Sequence, residues 1–399
     1  MTDLAGVQRR TIVVLSAGQV LGGISFGATI SLGAVLAAKL SGDDALSGLA
    51  TASITLGTAV TAVPLTALAR ARGRRPALAT GMIVALAGVG LVVGAVAIGS
   101  FPLLLAGFAL IGAGQAANLQ SRFAATDLAT DATRGRDLSI VVWTTTVGAV
   151  LGPNLVGPGE VLGEAIGMPP LTGPYLFTVV SQLAGIALYL VALRPDPLVL
   201  AQRVVAAHDP TSERIVHADR PKAAGYAMLA VVGAHGVMVS IMAMTPIHLL
   251  HHGATLTVVG LTISLHIAGM YGLSPVFGLL ADRWGRVPTI LLGYGILAGC
   301  VAVIAFGQHD TTAVTVALVL LGLGWSAATV SGSALLTEAS AEDVRTKRQG
   351  RNDFAMSLVG GLGATGAGAV LATAGFNGLA LWALPVIVVM VVLAPLGRR

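Results

Sequence analysis

Apolar residues in this chain run in blocks separated by short polar connections. Each block is long enough to cross a hydrocarbon core, which takes about 20 helical residues at roughly 1.5 Å apiece. Twelve such blocks are legible, at 11–38, 45–68, 77–99, 101–125, 138–157, 172–193, 223–249, 255–280, 287–307, 312–336, 353–374 and 377–396. The pattern predicts an all-α membrane protein of twelve transmembrane helices, with the lipid bilayer as solvent and first partner. Composition agrees: 55% of the 399 residues are hydrophobic and only 10% charged, where a water-soluble domain carries about 25%.

The formal charge of +5 changes the picture only through its placement. Basic residues cluster in alternate connections: Arg9 and Arg10, Arg70 to Arg75, Arg122 to Arg136, Arg194 to Lys222, Arg283 and Arg286, Arg345 to Arg351, and Arg398 and Arg399. Of the 23 Lys and Arg residues, Lys39 alone falls on the other side. By the positive-inside rule this sets both termini in the cytoplasm of a multi-pass protein of the cell membrane. The basic balance is therefore topological, and nucleic acid is not an expected partner. The first apolar block exceeds the 7 to 15 residues of a signal core, so it is expected to stay as a helix. Cys300 is the one cysteine, which excludes an intramolecular disulfide. No nucleophile motif, metal-hydrolase spacing or phosphate loop is visible, so neither an enzyme nor a bound cofactor is expected, and a monomer is.

The longest polar stretch divides the chain into a six-helix half at 1–197, a cytoplasmic loop at 198–222 and a second six-helix half at 223–399. Arg70-Ala-Arg-Gly73-Arg74-Arg75 is echoed 212 residues later by Asp282-Arg283-Trp-Gly285-Arg286. Gly112-Ala-Gly114 and Ala125-Thr126-Asp127 recur as Gly322-Leu-Gly324 and Leu336-Thr337-Glu338, at nearly the same offset. Two six-helix halves of this kind are a transporter design, with the substrate site near the midplane where the halves meet.

Gly278-Leu-Leu-Ala-Asp282-Arg283-Trp-Gly285-Arg286 resembles the cytoplasmic loop signature of the major facilitator superfamily. The resemblance implies that fold, and a gate in which a glycine turn carries an Asp and an Arg that pair with neighbouring helix ends. Arg122 and Asp127, at the cytoplasmic end of the fourth span, are further gate candidates. The first-half copy departs from the signature, with Thr66 for the leading glycine and Arg70 for the Asp. Gly148, Gly152, Pro153 and Gly157 resemble a glycine-proline signature often found in antiporters of this superfamily, and spacing by four suits close helix packing.

Polar groups embedded in lipid are the pointers to a substrate. Gln19, Asn118, Gln120 and Asn154 are candidates in the first half, and no carboxylate is evident near a midplane. The seventh and eighth spans carry His235, Met238, Met242, Met244, His248, His251, His252, His266 and Met270. Met238 and Met242 share one helix face, as do His266 and Met270. A turn near residue 252 sets Met238 level with His266 and His235 level with Met270, with His248, His251 and His252 at the outer rim. Thioethers select Cu(I), and imidazole adds affinity for transition metals. Packing is the competing role for such methionines.

Met238-x-x-x-Met242 followed by His266-x-x-x-Met270 resembles the paired motifs of the CcoA-type copper importers. That likeness implies that Met238, Met242, His266 and Met270, with His235 nearby, bind and pass copper as the substrate. The alternative is a secondary transporter of a small organic solute, either vitamin-like uptake or drug-type efflux.

Overall fold

The computed structural model describes residues 4–43, 46, 48–130, 132–207, 219–254 and 256–398. His208, Asp209, Glu213, Arg214 and His217 of the central connection, and Arg399, lie outside the described residues. In chain order the helices are α1 (Leu4–Ser41), α2 (Leu49–Arg72), α3 (Arg74–Ile98), α4 (Phe101–Ala124), α5 (Arg134–Asn154), α6 (Val156–Ala165), α7 (Tyr175–Ala192) and α8 (Pro197–Ala207). They continue with α9 (Pro221–His251), α10 (Leu256–Tyr271), α11 (Ser274–Arg283), α12 (Arg286–Gly307), α13 (Thr311–Glu338), α14 (Glu342–Leu381) and α15 (Leu384–Val392).

Eleven helical stretches among the described residues are long and apolar enough to span a bilayer. They match eleven of the twelve expected spans. The fifth, expected at 138–157, is helical as α5 and α6 but falls short of that measure. The side chains of part of this stretch lie outside the described residues, so the measure does not cover it whole. The eleventh starts earlier than its apolar block, because α14 runs from Glu342 through polar residues and breaks only at Gly375, whose φ of 70° no other residue type adopts freely.

The chain divides into two compact units. One comprises 1–128, 144–214 and 349–357, and the other 129–143, 215–348 and 358–399. Each unit thus contains a short segment contributed by the opposite half of the sequence. Within the first unit, α4 packs against α2 and α3, while α7 packs against α1 and α3. Leu32, Leu36, Ile54, Val89, Val92, Leu104, Phe108 and Ile111 form a buried core cluster among these helices. Small residues permit close approach elsewhere in the unit: a Cβ added at Gly23 on α1 would lie 2.9 Å from the Cα of Gly148 on α5.

In the second unit α13 is the central helix, packed by α9, α10 and α12. Its burial is nearly unbroken from Gly324 to Thr337, a stretch rich in Gly, Ala and Ser that lets helices meet at backbone distance. A Cβ on Gly322 would lie 2.8 Å from the backbone nitrogen of Met270, and one on Gly293 would lie 2.7 Å from that of Ala328. The α9 and α10 pair, sequential in the chain, packs chiefly along α13 and only slightly along itself.

Candidate functional site

The turn after α11 is set by Gly285 at φ 101°, and its counterpart after α2 by Gly73 at φ 96°. Each is followed by a buried arginine that begins the next helix, Arg286 and Arg74. In the second unit Asp282 accepts the backbone N–H of Gly135 at 2.9 Å and of Arg136 at 2.8 Å. Both amides belong to the first turn of α5, where the helix dipole favours a carboxylate. Arg286 pairs with Asp282 and with Glu338, the latter at 3.3 Å. Gly278 sits where α11 and α5 meet, since a Cβ there would lie 2.6 Å from Gly135 O and 2.7 Å from Ser139 Cβ. Arg283 is exposed.

The first unit solves the same problem with different residues. Arg74 holds Asp127 through two hydrogen bonds of 2.8 and 3.0 Å, and reaches Gln349 Oε1 at 2.8 Å. Thr66, standing where Gly278 stands in the other copy, meets a glycine instead: a Cβ on Gly350 would lie 2.5 Å from Thr66 Cγ2. Glycine and hydroxyl residue have exchanged sides, Gly278 with Ser139 in one unit and Thr66 with Gly350 in the other. Arg122 pairs with Asp353, both side chains nearly inaccessible at 4% and 0% exposure. Asp353 is a buried carboxylate at the start of the eleventh apolar block, away from the midplane positions where the sequence shows none. In the sequence it follows Arg345, Lys347, Arg348 and Arg351, which marks a solvated helix end, and only the fold shows it enclosed.

The first unit also has a cavity lined by Gly22, Ser25, Phe26, Gln115, Asn118 and Gln182, among others. Its amides are oriented by neighbours: Gln182 Nε2 donates to Ser25 Oγ at 2.9 Å, and Gln19 Nε2 donates to the carbonyl of Asn118 at 2.7 Å. Thr145 Oγ1 donates to Gln19 Oε1 at 3.0 Å. Gln120 turns away from this set to donate to Thr66 Oγ1 at 3.2 Å. Of the glycine-proline group, Gly148 and Gly152 are buried, and Gly157 on α6 has nothing within 4 Å of a Cβ. The side chains of Pro153 and Asn154 lie outside the described residues.

The thioether and imidazole residues all fall in the second unit. Met238, Met270 and His266 are buried, and Met242 is partly so. His266 Nδ1 lies 2.8 Å from the carbonyl of Leu318 on α13, so Nδ1 carries the proton and donates. Its Nε2 keeps a lone pair with no hydrogen-bond partner. His235 Nδ1 accepts from Trp325 Nε1 at 3.2 Å, again on α13. Both α9, which carries Met238, and α10, which carries His266, pack on α13. Among the described residues, no group of three or more His, Cys, Asp or Glu side chains is placed to hold a metal ion.

At the end of α9, His248 stacks on Phe376 with ring centroids 4.1 Å apart and lies 2.6 Å from the carbonyl of Gln308. His252 Nε2 is 3.1 Å from His309 Nδ1, while His251 is exposed. His309 escaped the sequence reading because it sits in another connection, 57 residues from His252.

The model of the Major Facilitator Superfamily matches residues 15–253 and 227–398. The chain belongs to the major facilitator superfamily. It is 38% identical to YdeG, an uncharacterized MFS-type transporter of Bacillus subtilis, over 94% of this chain and 88% of that one. It is 31% identical to the riboflavin transporter RfnT of Brucella anthropi, over 100% of this chain and 98% of that one. Among solved structures, the human organic anion transporter MFSD10 (TETRAN) superposes with a TM-score of 0.78 at 16% identity, over 97% and 99% of the two chains. A bacterial homologue of the iron transporter ferroportin gives 0.76 at 14% identity, over 98% and 100%. At such identities the structures show the shared all-helical fold. The protein is a multi-pass membrane transporter of the superfamily.

Proposed function

We propose that this transporter moves a small, uncharged, hydrogen-bonding organic solute across the cell membrane by alternating access, with both termini in the cytoplasm. The observation that carries this reading is the cavity of the first unit. Its amides from Gln115, Asn118 and Gln182 offer donors and acceptors without charge, next to the ring of Phe26. As it stands the cavity has room for little more than a water molecule, so a heterocycle with a polar edge would meet these neutral donors and acceptors only when alternating access opens the unit further. Riboflavin, named for one relative, has that chemistry. Uptake of tritiated riboflavin into vesicles containing the purified protein is expected, and Asn118→Ala and Gln182→Ala are expected to weaken it at equal protein content. Uptake no greater than in protein-free vesicles would reject riboflavin.

Copper import is the second reading, favoured by His266. Its buried imidazole donates one nitrogen to a backbone carbonyl and leaves the other unpartnered, the arrangement of a metal-ligating histidine whose tautomer is fixed from behind. Met238, Met242 and Met270, with His235, would complete a soft, neutral path for Cu(I), and His248, His251 and His252 its outer rim.

A further inference from the structure

We propose that the cytoplasmic end of the first unit is a docking surface for the head groups of anionic phospholipids, built from arginines on α1, α2, α3 and α8. The proposal goes beyond the solute reading above and does not depend on which solute is carried.

The difference between the two repeats carries the argument. At the offset of 212 residues, the turn 70–75 has four arginines and no acid, where 282–286 has two arginines against Asp282. Arg70 stands in the place of Asp282 itself. The second unit compensates its cations. Arg136 pairs with Asp137, Arg220 and Arg286 with Glu338, Arg345 with Glu342, and Arg348 with Asp219. In the first unit Arg74 and Arg122 alone have such partners among the described residues. Arg9, Arg10, Arg70, Arg72, Arg194 and Arg203 are exposed, with no carboxylate at ion-pair distance among the described residues. The positive-inside rule counts basic residues whether paired or not, and the second unit meets it largely with paired ones. Topology therefore does not call for the free charge of the first unit.

The carboxylates described at this end are already engaged. Asp127 holds Arg74 and Asp353 holds Arg122, while Asp196 accepts the backbone N–H groups of Arg75 at 2.7 Å, Leu198 at 3.1 Å and Val199 at 3.2 Å. Asp196 thereby gathers the surface. It caps the first turn of α8 and ties that helix to the turn at Gly73, where a Cβ would lie 2.4 Å from Asp196 Oδ2. The helix packs on α1 and α3, burying Leu198 and Ala201 and leaving Gln202 and Arg203 exposed. Gln8 Nε2 donates to the carbonyl of Ala125 at 2.8 Å, which seats the start of α1, with Arg9 and Arg10, beside the end of α4.

Charge and position together select the occupant. Guanidinium groups offer planar, paired donors to phosphate oxygens, and these stand at the ends of membrane-spanning helices, where the phosphates of a bilayer lie. Each basic residue close to an anionic bilayer strengthens attachment by about fivefold. A soluble anion lacks the acyl chains that keep a phosphodiester at this depth.

Spin resonance of labelled lipids tests this on the full chain in bilayers, because lipids held by the protein are slowed and can be counted. Spin-labelled phosphatidylglycerol is expected to be retained in preference to spin-labelled phosphatidylcholine, and the preference is expected to shrink as salt is raised. In the triple variant Arg9→Gln, Arg72→Gln and Arg203→Gln, retention of phosphatidylglycerol should fall by about fivefold per arginine removed, down to the level of phosphatidylcholine. Lys222→Gln, Lys347→Gln and Arg398→Gln together remove the same charge from exposed positions of the second unit, and should keep most of the preference. Inorganic phosphate should displace the labelled lipid no better than chloride at equal ionic strength. Should the first triple variant fail to fold, Arg203→Gln alone, on the open face of α8, should lose about fivefold. Equal retention of the two lipids by the native protein, equal losses in the two triple variants, an unchanged preference in Arg203→Gln, or specific displacement by phosphate overturns the proposal.

Discussion

Asp282 offers a direct test of how the loop signature works. Its carboxylate takes two backbone N–H groups from the first turn of α5 and is 6% exposed beside Arg286. Hydrogen bonds to a charged acceptor contribute about 1.5–3 kcal/mol each. Asp282→Asn removes the charge and leaves one good acceptor, worth about 1 kcal/mol as a neutral bond, so roughly 2–5 kcal/mol of local hold on α5 should be lost. At about 1.4 kcal/mol per tenfold, the amides of Gly135 and Arg136 should exchange with solvent about 30- to 4000-fold faster. Hydrogen exchange read by mass spectrometry on the full chain in lipid would measure this directly. Peptides covering 349–357, in the other unit, should be unaffected. Transport should fall at equal protein content in the membrane. Unchanged exchange at 135–136 would refute the capping argument and leave Asp282 as a charge that merely sets topology.

Three other outcomes follow from the same geometry. Gly350→Ala should collide with Thr66 and destabilise the first unit by about 1–3 kcal/mol, measurable as a lowered unfolding temperature, and Thr66→Gly should rescue it; failure of rescue would show that the clash lies elsewhere. If copper is the cargo, His266→Ala and Met270→Leu should each abolish uptake of radioactive copper, whereas Met244→Leu, one position off the shared face, should change it little; Met→Leu keeps apolar volume at a cost under about 1.5 kcal/mol, so lost uptake reports lost ligation, and normal uptake in both ligand variants would remove copper from consideration. In a Cys300→Ser background, cysteine at Ser41 should label from outside intact cells and cysteine at Lys347 only after permeabilisation, and the reverse pattern would overturn the orientation.

By itself the sequence determined the solvent, the spans and the repeat. Apolar blocks set by the thickness of a bilayer are a local property, and so is the alternation of basic connections. The loop signature was legible because its glycine at positive φ acts within a few residues, as Gly285 shows, whereas the helix that Asp282 caps starts 147 residues away and was not. Tertiary structure decided what those residues touch. Asp353 looks solvated among basic neighbours in the chain, and it is buried only because α14 brings it to Arg122, 231 residues away. Met238 and His266 were legible as level in depth, whereas the packing of both their helices on α13 was not. The exchange of Thr66–Gly350 for Gly278–Ser139 was likewise invisible, because complementarity across a helix junction is a property of pairs, and neither partner alone records which side carries the glycine.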